Sequence, residues 1–124
     1  MKHAELTDRI IYCFYTVYNR LGYGFLEKVY EKALQIELRN VGLCVQSQAP
    51  IKVHYAGEVV GEYFADLLIN EKVIVEIKAS QKLLAAHEAQ LINYLKATDI
   101  EVGLLLNFGP KAEVLRKVFD NDKK

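Results

Sequence analysis

The sequence predicts an α/β fold, in which helices pack against one sheet. Two segments near the start repeat apolar residues at helical spacing, whereas residues 45–79 form apolar runs separated by turn residues, as strands do. Another helical segment precedes a last apolar run. The order ααβββαβα therefore describes a three-stranded meander whose fourth strand arrives by a helical crossover. Because the chain has 124 residues, 52% of them apolar and 26% charged, residues 1–124 are expected to form a single globular domain.

Two amphipathic helices are predicted at the start, with a glycine-containing break between them. Apolar residues recur every three or four positions in the first helix, at Leu6, Ile10, Cys13, Val17 and Leu21. Gly22-Tyr23-Gly24 ends this helix, and Gly42 stops the second one, which is predicted over 26–40. The inward face of the second helix is predicted to carry Leu26, Val29, Ala33 and Ile36.

Strands are predicted over 45–55, 58–69 and 73–79, with turns at Ala56-Gly57 and Asn70-Glu71-Lys72. Pro50 cannot donate a backbone hydrogen bond, so the first strand is expected at a sheet edge or a bulge. A third long helix is predicted over 82–97. The nearly continuous apolar segment over 101–108 predicts a central strand that is buried on both sides. A final helix is predicted over 111–119, before a charged tail.

Three ionisable residues lie within the second and third strands, where burial without a partner would be costly. If residues 70–72 form the turn, Asp66 lies opposite Glu76, and Glu76 shares a face with Lys78. The opposite face of the third strand is filled by Val73, Val75, Ile77 and Ala79. Two neighbouring carboxylates repel each other unless a proton or a cation sits between them. A hard divalent cation such as Mg²⁺, which binds few protein carboxylates, fits this arrangement.

Further candidates lie on the predicted helices, and each also has a purely structural explanation. Gln90 and Tyr94 are four residues apart on one helix face, near the edge of the apolar stripe. They could reach into a cleft or simply lie on a solvated face. Glu27 lies in the first turn of the second helix, where the helix dipole favours a carboxylate. Tyr30, one turn later, could belong to the core, to a lid or to a substrate-stacking surface.

These motifs resemble those of a known group of enzymes. Asp66, followed after nine residues by Glu76-x-Lys78, resembles the catalytic signature of the PD-(D/E)xK nuclease superfamily, although Ala65 replaces the usual proline before the aspartate. Gln90-x-x-x-Tyr94 resembles the helix motif of its recombination-exonuclease branch. Gly24-x-x-Glu27-x-x-Tyr30 resembles the motif of the small GxxExxY proteins of that superfamily. The resemblance covers nearly the whole chain, with the elements in the same order.

The resemblance implies a restriction-endonuclease-like αβββαβ core, with a mixed four-stranded sheet flanked by helices. It implies a metal-dependent nuclease that hydrolyses phosphodiester bonds of DNA or RNA through a water activated by Mg²⁺, which Mn²⁺ could replace. By the same resemblance Asp66, Glu76 and Glu27 would hold the metal, and Lys78 would orient or deprotonate the attacking water. Gln90 and Tyr94 would support the site or contact the phosphate backbone.

Two alternatives to catalysis remain open at this point. One is a catalytically inactive nucleic-acid-binding or protein-interaction module that retains the nuclease fold. The other is a structural subunit in which Lys78 only neutralises Asp66 and Glu76. Measurements of metal binding and of nuclease activity separate the three.

The balance of charge limits how the protein can bind nucleic acid. The chain has 16 Lys and Arg and 16 Asp and Glu, so a nucleic-acid partner would need a local basic rim. The rim candidates are Lys52, His54, Lys82, Lys96, Lys111, Arg116 and Lys117. We expect a homodimer or a protein partner to complete the binding surface. The apolar runs are too short to span a membrane and no signal peptide is recognised, so a cytoplasmic location is expected.

Overall fold

The computed structural model describes residues 1–124 and contains one sheet with helices on both faces. The helices are α1 (Ala4–Leu21), α2 (Glu27–Asn40) and α3 (Ala85–Lys96), and a 3₁₀ turn follows at Asn121–Lys123. The strands are β1 (Val45–Tyr55), β2 (Glu58–Ile69), β3 (Val73–Lys78), β4 (Val102–Phe108) and β5 (Ala112–Val118). The α/β class is confirmed, and the predicted bounds of α2, β1 to β3, α3 and β4 agree with the structure within three residues at each end. No helix is both long and apolar enough to cross a membrane.

The sheet follows chain order, β1-β2-β3-β4-β5. Only β3 and β4 are parallel, because α3 carries the chain from one to the other, and all other neighbours are antiparallel. β4 lies inside the sheet with all seven residues buried, as its apolar sequence predicts. β1 is an edge strand, which agrees with Pro50 in its middle, and its pairing with β2 shifts register between Val53 and His54.

The predicted final helix is wrong, because residues 112–118 form β5 and make the sheet five-stranded instead of four-stranded. Val114 and Leu115 are adjacent in sequence but pack into the clusters on opposite faces of the sheet, as residues on a strand do. The apolar residues of this segment are also compatible with helical spacing. Pairing decides between the two, since a helix here would leave one side of β4 without backbone partners.

The core has two parts, one on each face of the sheet. α1 and α2 cover one face, where they pack on Val73, Val75 and Ile77 as well as on β4, and Ala79 packs at the margin of this cluster as predicted. α3 covers the other face through Leu91 and Leu95, which pack on residues that include Ile74, Ala65 and Leu105. Glu76 and Lys78 follow Ile74 at alternate positions and therefore lie on the α3 side of β3.

The buried face of α2 differs from the prediction. Tyr30, Glu31, Leu34 and Leu38 are the buried residues of this helix. Leu26, Val29 and Ile36, predicted to face inward together with Ala33, are exposed, and only Ala33 packs against the core. Apolar residues occupy two sides of this helix, so spacing alone could not choose between them. The correction turns Glu31 toward the sheet.

Candidate active site

The two carboxylates predicted to meet do so where β2 and β3 diverge. Leu67 pairs with Val75, Leu68 with Ile74 and Ile69 with Val73, as the sequence predicts, and Asp66 and Glu76 come next. The turn that sets this register is tight, with Lys72 N–H donating to Ile69 O at 2.9 Å and with positive φ angles of 51° at Asn70 and 56° at Glu71.

Asp66 and Glu76 each accept a backbone hydrogen bond from the strand opposite. The Asp66 N–H donates to Glu76 Oε2 at 2.7 Å, and the Ile77 N–H donates to Asp66 Oδ2 at 2.8 Å. These bonds take the place of the regular ladder, which ends at Leu67 and Val75. The second oxygen of each carboxylate makes no hydrogen bond within the protein and can accept another partner. Both side chains are therefore oriented by the backbone while one oxygen of each carries no hydrogen bond.

Burial and mutual repulsion make these carboxyls reluctant to ionise. The pKa of Glu76 is raised to about 8, first by burial and then by the negative charge of Asp66. Burial also raises the pKa of Asp66, against the lowering effect of the Ile77 N–H, and Glu31 adds a further raising charge. The pair consequently holds a proton near neutral pH, and a bound cation would replace it.

Lys78 lies half-buried at the end of β3, in register with Asn107 of β4. Its charge lowers the pKa of both Asp66 and Glu76, yet it forms none of the protein's ion pairs. No carboxylate lies within ion-pair distance of its ammonium group, so Lys78 acts on the two acids through its charge alone.

A buried acid that sequence reasoning missed, Glu31, approaches the site from α2. Only 4% of Glu31 is exposed. Its Oε1 accepts from Gln48 Nε2 at 3.1 Å and from Ser47 Oγ at 3.4 Å, and Lys28 Nζ contacts its Oε2 at 3.2 Å. The signal that could have identified it is the buried phase of α2, which places an acid among Tyr30, Leu34 and Leu38.

Glu27 and Tyr30, the helix residues of the GxxExxY-like motif, occupy different environments. Glu27 is the exposed first residue of α2, and its charge contributes to the raised pKa of Asp66. Tyr30 is fully buried and stacks on Phe108 with ring centroids 4.3 Å apart. Its hydroxyl donates to Gly22 O at 2.7 Å and accepts from the Phe25 N–H at 3.2 Å. Of the three roles left open for Tyr30, the structure assigns it to the core, where it ties down the segment that leads to Glu27.

Gln90 and Tyr94 both lie on α3, and Tyr94 is the one that approaches the carboxylates. Tyr94 is largely buried, and its pKa is raised to about 12, first by burial and then by the charges of Glu76 and Asp66. Gln90 is half-buried and lines the same groove as Tyr94. The structure thus brings Asp66, Glu76 and Lys78 together, sets Tyr94 within electrostatic reach of them, and leaves Glu27 and Gln90 at the margins.

A polar cluster fixes the loop that follows Lys78. The fully buried Asn107 accepts from the Ser80 N–H at 2.9 Å and donates from Nδ2 to Ser80 O at 3.1 Å and to Glu113 Oε1 at 2.8 Å. Glu113 Oε1 also accepts from the Leu83 N–H at 3.1 Å. Glu113 belongs to β5, so the strand that the sequence did not predict helps to hold the connection between Lys78 and α3.

The donor set fits a hard divalent cation. No group of three or more His, Cys, Asp or Glu side chains is arranged so that it could hold a metal by itself. Asp66 and Glu76 nevertheless offer two adjacent carboxylates, each with an oxygen that has no partner, and their repulsion would be relieved by positive charge. Mg²⁺ commonly takes one or two carboxylates and completes its coordination with water and phosphate oxygens. The protein therefore supplies part of such a site.

Comparisons with known proteins agree with this geometry. A model of the PD-(D/E)XK nuclease superfamily matches residues 4–118. The crystal structure of SSO0001 is similar, with a TM-score of 0.61 and 22% sequence identity over 78% of this chain and 52% of that chain. This chain spans about half the length of that protein, and the likeness supports the fold. No curated protein sequence matches the chain. The match over nearly the whole length shows that the chain belongs to the PD-(D/E)XK nuclease superfamily.

Proposed function

We propose that the protein is a Mg²⁺-dependent nuclease that hydrolyses phosphodiester bonds of DNA or RNA. Membership of a nuclease superfamily supports hydrolysis and nucleic acid as the substrate class. The observation that carries the proposal is the pair Asp66 and Glu76, locked to each other's strands with one free oxygen each, beside a lysine that has no ion-pair partner. Within the superfamily we place the chain with the GxxExxY proteins, on the strength of Gly24, Glu27 and Tyr30.

Asp66 and Glu76 would hold the divalent cation, with Glu27 or Glu31 adding negative charge from α2. A cation bound there supplies positive charge against the phosphate and lowers the pKa of a water molecule. The two strand carboxylates are suited to this because their backbone hydrogen bonds fix them before any ligand arrives. Preorganisation of this kind avoids the cost of ordering the ligands on binding.

Lys78 would act directly on the reacting phosphate group. Water attacks phosphorus, a new P–O bond forms, and the bond to the leaving sugar oxygen breaks. The attacking water releases a proton to solvent and the leaving oxygen takes one up, so the products are a phosphate monoester and an alcohol. Negative charge grows on the phosphate oxygens during this step, and a fixed ammonium that donates hydrogen bonds to them stabilises the transition state. Lys78 can do this because no carboxylate within the protein forms an ion pair with it. Gln90 and Tyr94 would support the substrate from α3.

Calorimetric titration of Mg²⁺ and Mn²⁺ tests the metal site. Wild type should bind the cation, and the Asp66→Asn/Glu76→Gln double variant should not. This variant keeps an oxygen acceptor for each backbone N–H, so it is expected to remain folded. Cleavage of labelled DNA and RNA, with metal and with a chelator, tests the activity. Binding of metal without cleavage of either nucleic acid would contradict catalysis and favour the inactive binding module. Absence of metal binding to the wild type would contradict the whole proposal.

A further inference from the structure

A groove beside the active site is not accounted for by the catalytic residues. It lies between α3 and the β1–β2 hairpin and has a volume of about 700 Å³. Its polar and aromatic lining residues are His54, Tyr63, Gln90, Asn93, Tyr94 and Lys96. Volumes of this size are typical of sites that enclose a small organic group. The groove is therefore large enough to hold one unit of a polymer substrate.

The floor of the groove is aromatic. The ring centroids of Tyr63 and Tyr94 lie 5.9 Å apart, with the planes inclined at 44°. Tyr94 is 7% exposed and Tyr63 is 49% exposed. The buried Tyr94 ring therefore supports the Tyr63 ring, which presents a free surface to the groove. An aromatic surface that is supported on one side and left half open is suited to stacking against a planar ligand.

The groove is lined by a basic residue and by no acidic one. The chain as a whole has equal numbers of acidic and basic residues, yet no Asp or Glu lines this groove. Lys96 supplies the positive charge at the groove; its Nζ lies 5.7 Å from the Phe119 ring centroid and takes part in none of the protein's ion pairs. The amides of Gln90 and Asn93 and the imidazole of His54 add donors and acceptors. Neutral amides with nearby positive charge match a nucleobase that is joined to a phosphate.

The groove adjoins the carboxylates at Tyr94, which lines it and lies within electrostatic reach of Glu76 and Asp66. This residue packs in one cluster with Ala65 and Ile74, which lie next to Asp66 and two residues before Glu76 in the sequence. A nucleotide in the groove would therefore lie close to the acids. Tyr94 of α3 lines the groove and packs beside the strands that carry the catalytic pair.

We propose that this groove binds an unpaired base of single-stranded nucleic acid, stacked on Tyr63, next to the phosphate that is cleaved. The inference rests on the proposed function only for the position of that phosphate. A base inside a duplex is already stacked, and extruding it costs a few kcal/mol. Duplex binding also depends on many phosphate contacts, and a chain without net charge offers few of them. Stacking of an unpaired base on one tyrosine requires neither base extrusion nor many phosphate contacts, and any base can stack in this way.

Equilibrium binding without metal tests the groove separately from catalysis. Fluorescence anisotropy in a chelator would be measured with a labelled single strand of about ten nucleotides, its duplex, and an abasic strand of the same length. DNA and RNA versions of the single strand form two arms that identify the sugar. The variants are Tyr63→Ala, Tyr63→Phe and, as a matched control on the same hairpin, Tyr55→Ala, because Tyr55 is 76% exposed and lies outside the groove.

Wild type should bind the single strand about tenfold or more tightly than the duplex or the abasic strand, because one stacked base contributes about 1–3 kcal/mol. Tyr63→Ala should lose that advantage, whereas Tyr63→Phe and Tyr55→Ala should keep it. Equal affinity of Tyr63→Ala and wild type for the single strand would overturn the inference, as would equal affinity for single strand and duplex.

Failure of the proposed function is seen in a different measurement. If the groove binds as expected but no nucleic acid is cleaved with Mg²⁺, the groove assignment stands and the nuclease proposal fails. If cleavage depends on Asp66 and Glu76 while Tyr63→Ala cleaves single strands with unchanged KM, the nuclease proposal stands and the groove assignment fails. Thermal melting of Tyr63→Ala and Tyr63→Phe shows whether a loss of binding reflects the ring or the fold.

Discussion

Replacement of Glu76 by glutamine should change how the stability of the metal-free protein depends on pH. The folded protein raises the pKa of Glu76 from 4.5 to about 8, so the native state binds this proton more tightly than the unfolded chain does. A carboxyl of this kind contributes stability that is fully present below about pH 4.5 and is lost as the pH rises toward 8. The free energy of unfolding should therefore fall over that range.

The size of the effect follows from the two pKa values. In the unfolded chain Glu76 ionises above its pKa of 4.5, which leaves about 2.5 pH units up to pH 7. Over that interval the folded carboxyl stays mostly protonated. At about 1.4 kcal/mol per unit, the contribution of Glu76 falls by about 3 kcal/mol. Glutamine does not titrate and still offers an oxygen to the Asp66 N–H. The variant should match wild type near pH 4 and exceed it by up to about 3 kcal/mol near pH 7.

Urea unfolding in a chelator at a series of pH values measures this difference. Glu62→Gln is the matched control, since Glu62 is an exposed glutamate on the same strand as Asp66. Addition of Mg²⁺ should stabilise wild type at neutral pH and leave Glu76→Gln nearly unchanged, because the cation binds the deprotonated site. Parallel pH profiles of wild type and Glu76→Gln would refute the assignment of a buried, proton-holding carboxyl.

Two further substitutions separate the chemistry of the site from its support. Lys78→Ala should abolish nucleic-acid hydrolysis and lower the free energy of unfolding by no more than about 1 kcal/mol, because Lys78 has no ion-pair partner and acts on the buried acids through its charge alone. Cleavage assays and urea unfolding, with Lys72→Ala as control, check this. Asn107→Ala should cost about 2 to 4 kcal/mol in unfolding experiments, because it removes the partners of the Ser80 backbone and leaves Glu113 with one fewer donor. A stable Asn107→Ala protein would show that this cluster does not hold the loop.

The hairpin that carries Asp66 and Glu76 could be predicted from the sequence because several local signals agreed there. A three-residue turn containing Asn70 fixed the register, and apolar residues at alternate positions fixed the face. The opposition of Asp66 and Glu76 followed from counting along the two strands. Their hydrogen bonds to the backbone could not be predicted in the same way, since they arise where the two strands separate and the ladder ends.

The remaining errors have one physical origin. In each case the local sequence is compatible with two structures, and tertiary packing selects one of them. α2 carries apolar residues on two sides, and the sheet buries the side with Tyr30, so Glu31 turns toward the site and Val29 is exposed. Residues 112–118 are compatible with a helix, but they form a strand because that strand supplies backbone hydrogen-bond partners for β4. Glu31 and Glu113, the acids that sequence reasoning missed, lie on these two elements. The groove at Tyr63 was also missed, because it forms between a hairpin and a helix that are distant in sequence.

The hydrogen bonds that Asp66 and Glu76 accept from the backbone bear on how relatives of this protein should be judged. Each carboxylate closes the open end of the hairpin as well as lining the site, so a lineage that abandoned catalysis would still be under selection to keep an acceptor at both positions. An intact acidic pair is therefore weak evidence of activity in a relative that lacks the lysine. Lys78 makes no such contact and acts on the acids through its charge alone, so the fold would retain it less strictly than the acids once hydrolysis was lost. Catalytically active and inactive relatives should therefore differ at the position of Lys78.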